Sequence, residues 1–207
     1  MYGGTFVDLE KTIRALKGRG FAVSRFATKE EAADYLAGAI QNTTVGMGGS
    51  KTLDQLGIYD RLQENNEVFW HWREPGIPTL DKALTAQTYL SSANAITEDG
   101  QIINIDGRGN RLAAMVYGPG KDVYIVAGVN KIEEDFDKAL FRARNTAAVQ
   151  NIARFAGSQP CQSEKGGGKC YDCRAKDRGC NGLLVLWGKM FDMQKLEVVL
   201  IEEELGL

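Results

Sequence analysis

The chain has 207 residues, of which 43% are hydrophobic and 25% are charged, so it is long enough to bury a substantial core. Its formal net charge of −2 at pH 7 argues against a surface dedicated to nucleic acid or to anionic membranes. The N-terminal sequence lacks the apolar core of a secretory signal, and no apolar run reaches the ~18 residues of a membrane span, so we expect a cytoplasmic protein.

Helices and strands alternate in the structure predicted for the first half of the chain. Apolar residues recur at helical spacing near the N-terminus, and a capping box formed by Thr28 and Glu31 marks the start of a second helix. The elements predicted up to residue 87 are a helix that carries Phe6, Leu9, Ile13 and Leu16, a strand at 21–26, the capped helix with Ala32, Leu36, Ala39 and Ile40, a strand that enters the glycines at 46–50, a helix from about Thr52, a strand at 67–72 and a helix at 79–87.

The second half of the chain continues this alternation and adds a loop-like segment. The run TYLSSANAIT predicts one strand and QIINID another, with the turn Glu98-Asp99-Gly100 between them. Further predicted elements are a short helix at 112–117, a buried strand at 122–128, a long helix at about 133–155, and closing strands at 183–187 and 196–202. The sequence therefore predicts a single α/β domain over 1–207, with a mainly parallel sheet sandwiched by helices and a cysteine-rich insertion at 157–182.

A glycine loop stands between a predicted strand and a predicted helix at 46–50. Glycines let the backbone approach a ligand, and the first N–H groups of a helix attract anions. Gly48, Gly49, Ser50 and Lys51 are therefore candidate anion-binding residues. The alternative is that the glycines serve helix–strand packing alone.

Four cysteines, the whole complement of the chain, lie in the segment 157–182 with the spacing C-x8-C-x2-C-x6-C. Clustered thiols in a reducing compartment predict a metal site more readily than disulfides. The predicted ligands are Cys161, Cys170, Cys173 and Cys180. Four thiolates suit tetrahedral zinc or an iron–sulfur cluster. The irregular spacing of the cysteines, and Pro160 next to Cys161, slightly favour a 4Fe–4S cluster over zinc.

Several motifs occur in an order that resembles one known family over nearly the whole chain. They are G-M-G-G-S-K-T-L-D-Q-L-G-I, A-N-A-I, T-E-D-G, I-D-G-R-G-N-R, G-V-N-K, the PC…C-x2-C…C segment and the ending LEVVLIEEELGL. Together they resemble the LUD-domain (lactate utilisation) family. The resemblance implies the NagB/RpiA/CoA-transferase-like fold and a role in lactate oxidation. It also implies iron–sulfur proteins as partners that carry electrons.

The resemblance also implies where a ligand binds. The glycine loop is expected to face the segment 106–111 across a cleft at the carboxyl ends of the strands. The chemistry of the residues fits a small anionic ligand, with Gly107 and Gly109 as backbone donors, Asn110 as a hydroxyl partner, Arg111 and Lys131 as cations, and Asp106 and Glu98 as candidate acid–base groups. Glu98 is more simply a residue of the Asp-Gly turn, and Asn130 is alternatively a cap of the long helix.

Two departures weigh against sugar-phosphate isomerase chemistry. Isomerases similar in this segment use two carboxylates and a lysine, whereas Asn94 stands here where an acidic residue is expected, and no lysine follows Asp106 in its glycine loop. His71, the single histidine, is interpreted as a packed residue at a strand edge.

Three functions stay open on the sequence. The first is an accessory protein of organic-acid oxidation that binds a small anionic metabolite and a metal centre. The second is an isomerase or transferase that acts on a phosphorylated sugar or an acyl-CoA, with Asp106 and Glu98 in catalysis. The third is a non-catalytic module that senses a metabolite, and apolar faces on a domain of this size are compatible with a homodimer in each case.

Overall fold

The computed structural model describes residues 7–155, 157–164 and 167–207, and a six-stranded sheet forms its centre. Every neighbouring pair of strands in this sheet is parallel. The strands, in spatial order, are β1 (Ala22–Phe26), β10 (Lys195–Ile201), β7 (Asp122–Gly128), β4 (Thr88–Ser92), β2 (Thr44–Met47) and β3 (Glu67–Trp70).

A second, four-stranded sheet lies beside the first. Its spatial order is β8 (Ile132–Glu133), β5 (Ala95–Thr97), β6 (Ile102–Asp106) and β9 (Gly182–Leu186). β6 is antiparallel to both of its neighbours, and β5 and β8 are parallel. The turn between β5 and β6 is the predicted one, closed by Gly100 N–H donating to the Thr97 carbonyl at 2.8 Å with Gly100 at a φ of +78°.

Helices cover both faces of the parallel sheet. They are α1 (Leu9–Gly18), α2 (Lys29–Ala39), α3 (Lys51–Leu56), α4 (Ile58–Gln63), α5 (Ile77–Thr85), α6 (Asn110–Val116), α7 (Phe136–Arg142) and α8 (Ala148–Ile152), the last two joined by a π-helical turn at Ala143–Ala147. Within β7, Val123 and Ile125 belong to one hydrophobic cluster with α1, α5 and α6, whereas Tyr124 and Val126 belong to another with α2, α3 and α4. Because side chains alternate across a strand, the sheet is buried on both faces, and the predicted sandwich is confirmed.

One predicted strand is wrong. The run TYLSSANAIT does not form a single strand, because the chain leaves the parallel sheet after Ser92 and enters the second sheet at Ala95. Asn94 makes the transfer: its backbone N–H donates to the Ile103 carbonyl at 2.9 Å, and its side-chain oxygen accepts from the Ile105 N–H at 2.6 Å. Ser92 is therefore left at the carboxyl end of a central strand.

Other elements differ from prediction at their boundaries. The long helix begins at Phe136, because the Asp135 side chain caps it by accepting from the Lys138 N–H at 2.8 Å. The strand predicted at 67–72 ends at Trp70, which leaves His71 and Trp72 in the following turn. Phe6 of the first predicted helix lies outside the described residues. Over the described ranges, no helix is both long and apolar enough to cross a membrane.

Candidate functional site

A cavity of about 450 Å³ opens at the carboxyl ends of β2, β4 and β7, three neighbouring strands of the parallel sheet. We name it the central cavity. Its lining is formed by residues 49–52, 71–72, 92–94, 105–108, 110–111, 131, 147–148, 151–152, 154–155, 159, 177–179 and 207. This is the edge at which open α/β sheets bind ligands.

Lys131 lies at the cavity and is almost fully buried, with 3% of its surface exposed. Its Nζ contacts the hydroxyl oxygens of Thr52 and Ser92, both at 2.8 Å, and the carbonyl of Ala93 at 3.1 Å. Thr52 follows β2, Ser92 ends β4 and Lys131 follows β7. The order of the strands therefore brings these three side chains together.

The charge of Lys131 is destabilised by its surroundings. Burial, followed by the nearby guanidinium groups of Arg142 and Arg111, lowers the pKa of Lys131 to about 7. Among the described residues, no carboxylate lies within 4.0 Å of its Nζ to offset this. A lysine with such a pKa exchanges a proton near neutral pH, as a general base requires.

Asp106 shapes the loop that leads to α6. Its carboxylate accepts from the Gly107 N–H at 2.8 Å and from the Arg111 N–H at 3.0 Å. The Arg111 guanidinium donates to the Ile105 carbonyl at 2.6 Å and lies 3.9 Å from Asp106 Oδ1. The two carboxylate oxygens thus fix the backbone of their own loop, and Arg111 lines the cavity from that loop.

The glycine loop is closely covered. A Cβ on Gly48 would lie 2.9 Å from the Tyr89 hydroxyl and 3.1 Å from the Arg111 side chain. A Cβ on Gly49 would lie 2.9 Å from Trp72 Nε1 and 3.2 Å from His71 Nε2. The two glycines are therefore required by close packing of cavity side chains against the loop.

His71 is a cavity residue that the sequence interpretation missed. It lies in the turn after β3, lines the cavity and has an Nδ1 without a hydrogen-bond partner among the described atoms. Burial, and then the positive charge of Arg108, lowers the pKa of His71, so the ring is neutral at pH 7. The signal that identifies it is its place directly after a strand of the parallel sheet, a position obscured by the over-long strand predicted at 67–72.

Trp72 and Arg154 form one wall of the cavity. The Arg154 guanidinium carbon lies 4.0 Å from the centroid of the Trp72 ring, a cation–π contact. Trp72 in turn stacks on Trp70 at 5.5 Å between ring centroids. The arginine is thus held at the cavity without a carboxylate partner within 4.0 Å in the described chain.

Basic side chains outnumber acidic ones in the lining, six to two. They are Lys51, Arg108, Arg111, Lys131, Arg154 and Arg178, against Asp106 and Asp177. Asp177 already accepts from Ser158, at 2.7 Å from its N–H and 3.0 Å from its hydroxyl. Lys51 and Arg178 pair with Asp54 and Asp172, at 2.7 and 3.0 Å, whereas Arg108 and Arg154 have no carboxylate within 4.0 Å among the described residues. The positive charge of these two guanidinium groups favours an anionic ligand.

Most of the predicted ligand-binding residues converge on this cavity. Those that line it are Gly49, Ser50, Lys51, Asp106, Gly107, Asn110, Arg111 and Lys131. Gly48 lies directly behind Arg111, and Gly109, at a φ of +85°, permits the turn into α6.

Two predicted residues have other surroundings. Glu98 does not line the cavity and accepts from the Asp8 N–H at 2.8 Å and from Lys11 Nζ at 3.0 Å, contacts that lower its pKa. Asn130 holds the C-terminal segment instead of capping the long helix, since its side-chain oxygen accepts from the Leu205 N–H at 3.1 Å. The structure therefore does not bring Glu98 together with Asp106.

The four cysteines are free and partly buried. Cys161 lies in a short 3₁₀ turn, Pro160–Gln162, and the other three lie in the loop before β9. Cys170 and Cys180 line a second cavity of about 210 Å³. Among the residues that the structure describes, no three or more His, Cys, Asp or Glu side chains are grouped so that they could hold a metal ion. The predicted metal centre is therefore not supported by this arrangement of the thiols.

The chain thus has an open α/β fold with a parallel sheet and a basic cavity at the carboxyl ends of its strands, where such folds bind their ligands. The chain belongs to the LUD domain family, whose model matches residues 9–201. A DUF162 family protein from Deinococcus radiodurans is similar in structure, with a TM-score of 0.53 and 15% identity over 93% of this chain and 95% of that chain. No curated protein matches the sequence. The family predicted from the motifs is thus confirmed, and the structural likeness supports the fold.

Proposed function

We propose that this protein is an accessory of organic-acid oxidation, of the lactate-utilisation type, that binds a small anionic metabolite in the central cavity. The observation that carries the proposal is the excess of basic side chains in the lining, with Arg108 and Arg154 lacking a carboxylate within 4.0 Å among the described residues. The LUD domain family is associated with lactate utilisation in general, which is consistent with a carboxylate-bearing ligand.

The chemistry of the lining fits a carboxylate or a phosphate that also carries polar groups. Guanidinium groups bind both anions through paired N–H donors. The amide of Asn110 and the amide nitrogen of Asn94 lie in the same cavity, where they can bind a hydroxyl or a carbonyl group. A volume of about 450 Å³ lies within the range of cavities that bind metabolites.

Calorimetric titration with lactate, pyruvate, inorganic phosphate, a sugar phosphate and coenzyme A tests the proposal. We expect at least one of these anions to bind, with an affinity that falls as salt is added. The double variant Arg108→Gln/Arg154→Gln should weaken binding at least tenfold, about 1.4 kcal/mol, because it removes two cationic donors. The matched control is Arg14→Gln, on the exposed face of α1. No binding by any probe, or an equal loss in the control, would contradict the proposal.

The enzyme alternative, an isomerase or transferase for a phosphorylated sugar or an acyl-CoA, is favoured by the low pKa of Lys131. The sensor alternative predicts binding without turnover of the bound anion. An iron–sulfur or zinc centre on the cysteines, with iron–sulfur partner proteins, stays a separate prediction, and no step of the proposal depends on it.

A further inference from the structure

The hydroxyl of Ser92 lies in a position from which it can be deprotonated. Its Oγ is 2.8 Å from Lys131 Nζ and 3.1 Å from Thr52 Oγ1. All three residues line the central cavity. A hydroxyl within hydrogen-bond reach of a base, with a third group that orients the pair, is the arrangement of an activated nucleophile.

We infer that Ser92 and Lys131 form a nucleophile and general base for acyl transfer or hydrolysis, and that the substrate is an acyl ester or thioester carrying an anionic group. The anionic part of this assignment rests on the proposed function, because it uses the same basic lining. The nucleophile and the base rest on the geometry of Ser92, Lys131 and Thr52 alone.

The surroundings of Lys131 favour its neutral amine. The charged groups that face it are the guanidinium groups of Arg111, from α6, and Arg142, from α7, while its contacts on the strand side are hydroxyls and a carbonyl. A salt-bridged lysine would hold its proton, whereas this one has no carboxylate within 4.0 Å among the described residues. The pKa of about 7 is consistent with proton transfer at neutral pH.

Ser92, and not Thr52, is assigned as the nucleophile because of the C-terminal segment. A Cβ added to Gly206 would collide with Thr52 Oγ1 and would lie 3.0 Å from Lys131 Nζ, whereas Ser92 is not among its three nearest neighbours. Ser92 instead adjoins Ala93 and Asn94 on the cavity wall. Thr52 contacts both partners and is a positioning residue that fixes the Ser92 and Lys131 side chains relative to each other.

The reaction proceeds in two steps, acylation of Ser92 and then transfer of the acyl group to water or to an acceptor. Ser92 Oγ attacks the acyl carbonyl carbon while Lys131 Nζ takes the hydroxyl proton. Collapse of the tetrahedral adduct breaks the bond to the alcohol or thiol, which leaves with the proton from Lys131, and the acyl group remains on Ser92. Water, or an acceptor nucleophile, then attacks the acyl-serine with Lys131 again as base, and the proton returns to Ser92 Oγ.

Covalent labelling with an uncharged alkyl fluorophosphonate tests the pair, followed by peptide mapping of the labelled residue by mass spectrometry. We expect the label on Ser92 in the wild-type protein and its loss in Ser92→Ala. Ser91→Ala changes the neighbouring residue of β4, which does not line the cavity, and should retain the label. No label on the wild-type protein, or a label on a residue other than Ser92, would overturn the inference. This result does not depend on the folding of any variant.

The base is tested by the rate of labelling and by release of nitrophenolate from 4-nitrophenyl acetate. Lys131→Arg keeps the positive charge but cannot be deprotonated, so both rates should fall about a hundredfold. In the wild type the rates should rise with pH through an apparent midpoint near 7. The control is Lys121→Met, which alters another buried lysine that lies outside the cavity lining. Unchanged rates in Lys131→Arg would overturn the assignment of the base.

The uncharged probes separate this inference from the proposed function, because they do not need the anion-binding side chains. Labelling of Ser92 in a protein that binds none of the tested anions would support the pair and contradict the anionic ligand. Anion binding without labelling would support the proposed function and overturn the pair.

Discussion

The side chain of Lys131 titrates differently in the folded and in the unfolded chain. Its pKa is about 7 when folded and near the ordinary 10.5 when unfolded. Below pH 7 both states hold the proton, so the cost of burying the ammonium group is fully present. Between pH 7 and 10.5 only the unfolded chain keeps the proton, so this group makes the free energy of unfolding rise with pH, by at most about 1.4 kcal/mol per pH unit.

Urea unfolding between pH 7 and pH 10 checks this expectation. The difference in unfolding free energy between wild type and Lys131→Met should shift in favour of the wild type as the pH rises. Lys17→Met, which changes an exposed lysine of α1, should follow the wild-type profile. A pH-independent difference for Lys131→Met would mean that the lysine stays protonated in the folded protein.

Gly48 gives a second prediction at the scale of the residue. Alanine there would crowd the Tyr89 hydroxyl and the Arg111 side chain, so one of them must move. We expect Gly48→Ala to lower the unfolding free energy by about 1–3 kcal/mol and to weaken anion binding, measured by urea unfolding and calorimetry. In Gly38→Ala, within α2, nothing lies within 4 Å of the added Cβ, and stability should stay equal or increase. Full stability and affinity in Gly48→Ala would show that the loop tolerates a side chain.

The sequence predicts a cavity residue when that residue belongs to a local motif. It does not predict a role that depends on neighbours distant in the chain. Arg111 and Lys131 follow from the motifs I-D-G-R-G-N-R and G-V-N-K. The partners of Lys131, by contrast, lie 79 and 39 residues away at Thr52 and Ser92, so its burial among hydroxyls depends on strand order. His71 was missed for a similar reason, because a period-two pattern does not show where a strand leaves the sheet.

At the scale of the element, the alternation of strands and helices was predictable, because the spacing of apolar residues that marks a strand or a helix lies within the element itself. The division into two sheets was not, since TYLSSANAIT has no break that marks the passage from β4 to β5. That passage depends on Asn94, whose hydrogen bonds reach Ile103 and Ile105 in the next strand. Pairing partners are non-local, so a strand pattern alone does not say which sheet a residue joins.

The cysteine segment gives the prediction that belongs to the element scale. The loop before β9 contains neither helix nor strand over 167–181, so a metal could draw its thiols together at a modest structural cost. On protein purified without oxygen, metal analysis should find about four irons with sulfide, or about one zinc, and Cys170→Ser should lose the metal. Ser163→Ala, in the same segment, should keep it. Metal-free wild-type protein, or unchanged metal in Cys170→Ser, would end the metal assignment.

At the scale of the whole molecule, the cysteine segment forms part of the central cavity, through Gln159, Asp177, Arg178 and Gly179. Arg178 lines both cavities and donates to the carbonyls of Cys173, at 2.7 Å, and Cys180, at 3.0 Å. The adjoining Gly179 packs against the loop that carries Asp106, with its carbonyl oxygen 2.8 Å from a Cβ placed on Gly107. A change of the thiols that moves Arg178 must therefore also change the positive charge and the shape of the cavity.

Alkylation of the thiols tests this coupling. Full carbamidomethylation adds bulk at Cys173 and Cys180, which should displace Arg178 and weaken anion binding by about fivefold or more. A bound anion that holds Arg178 in place should in turn protect the thiols, so alkylation should be slower in its presence. The control is the variant with all four cysteines changed to serine, whose affinity should not respond to the reagent. Equal affinities before and after complete alkylation of the wild type would mean that Arg178 holds its place independently of the thiols.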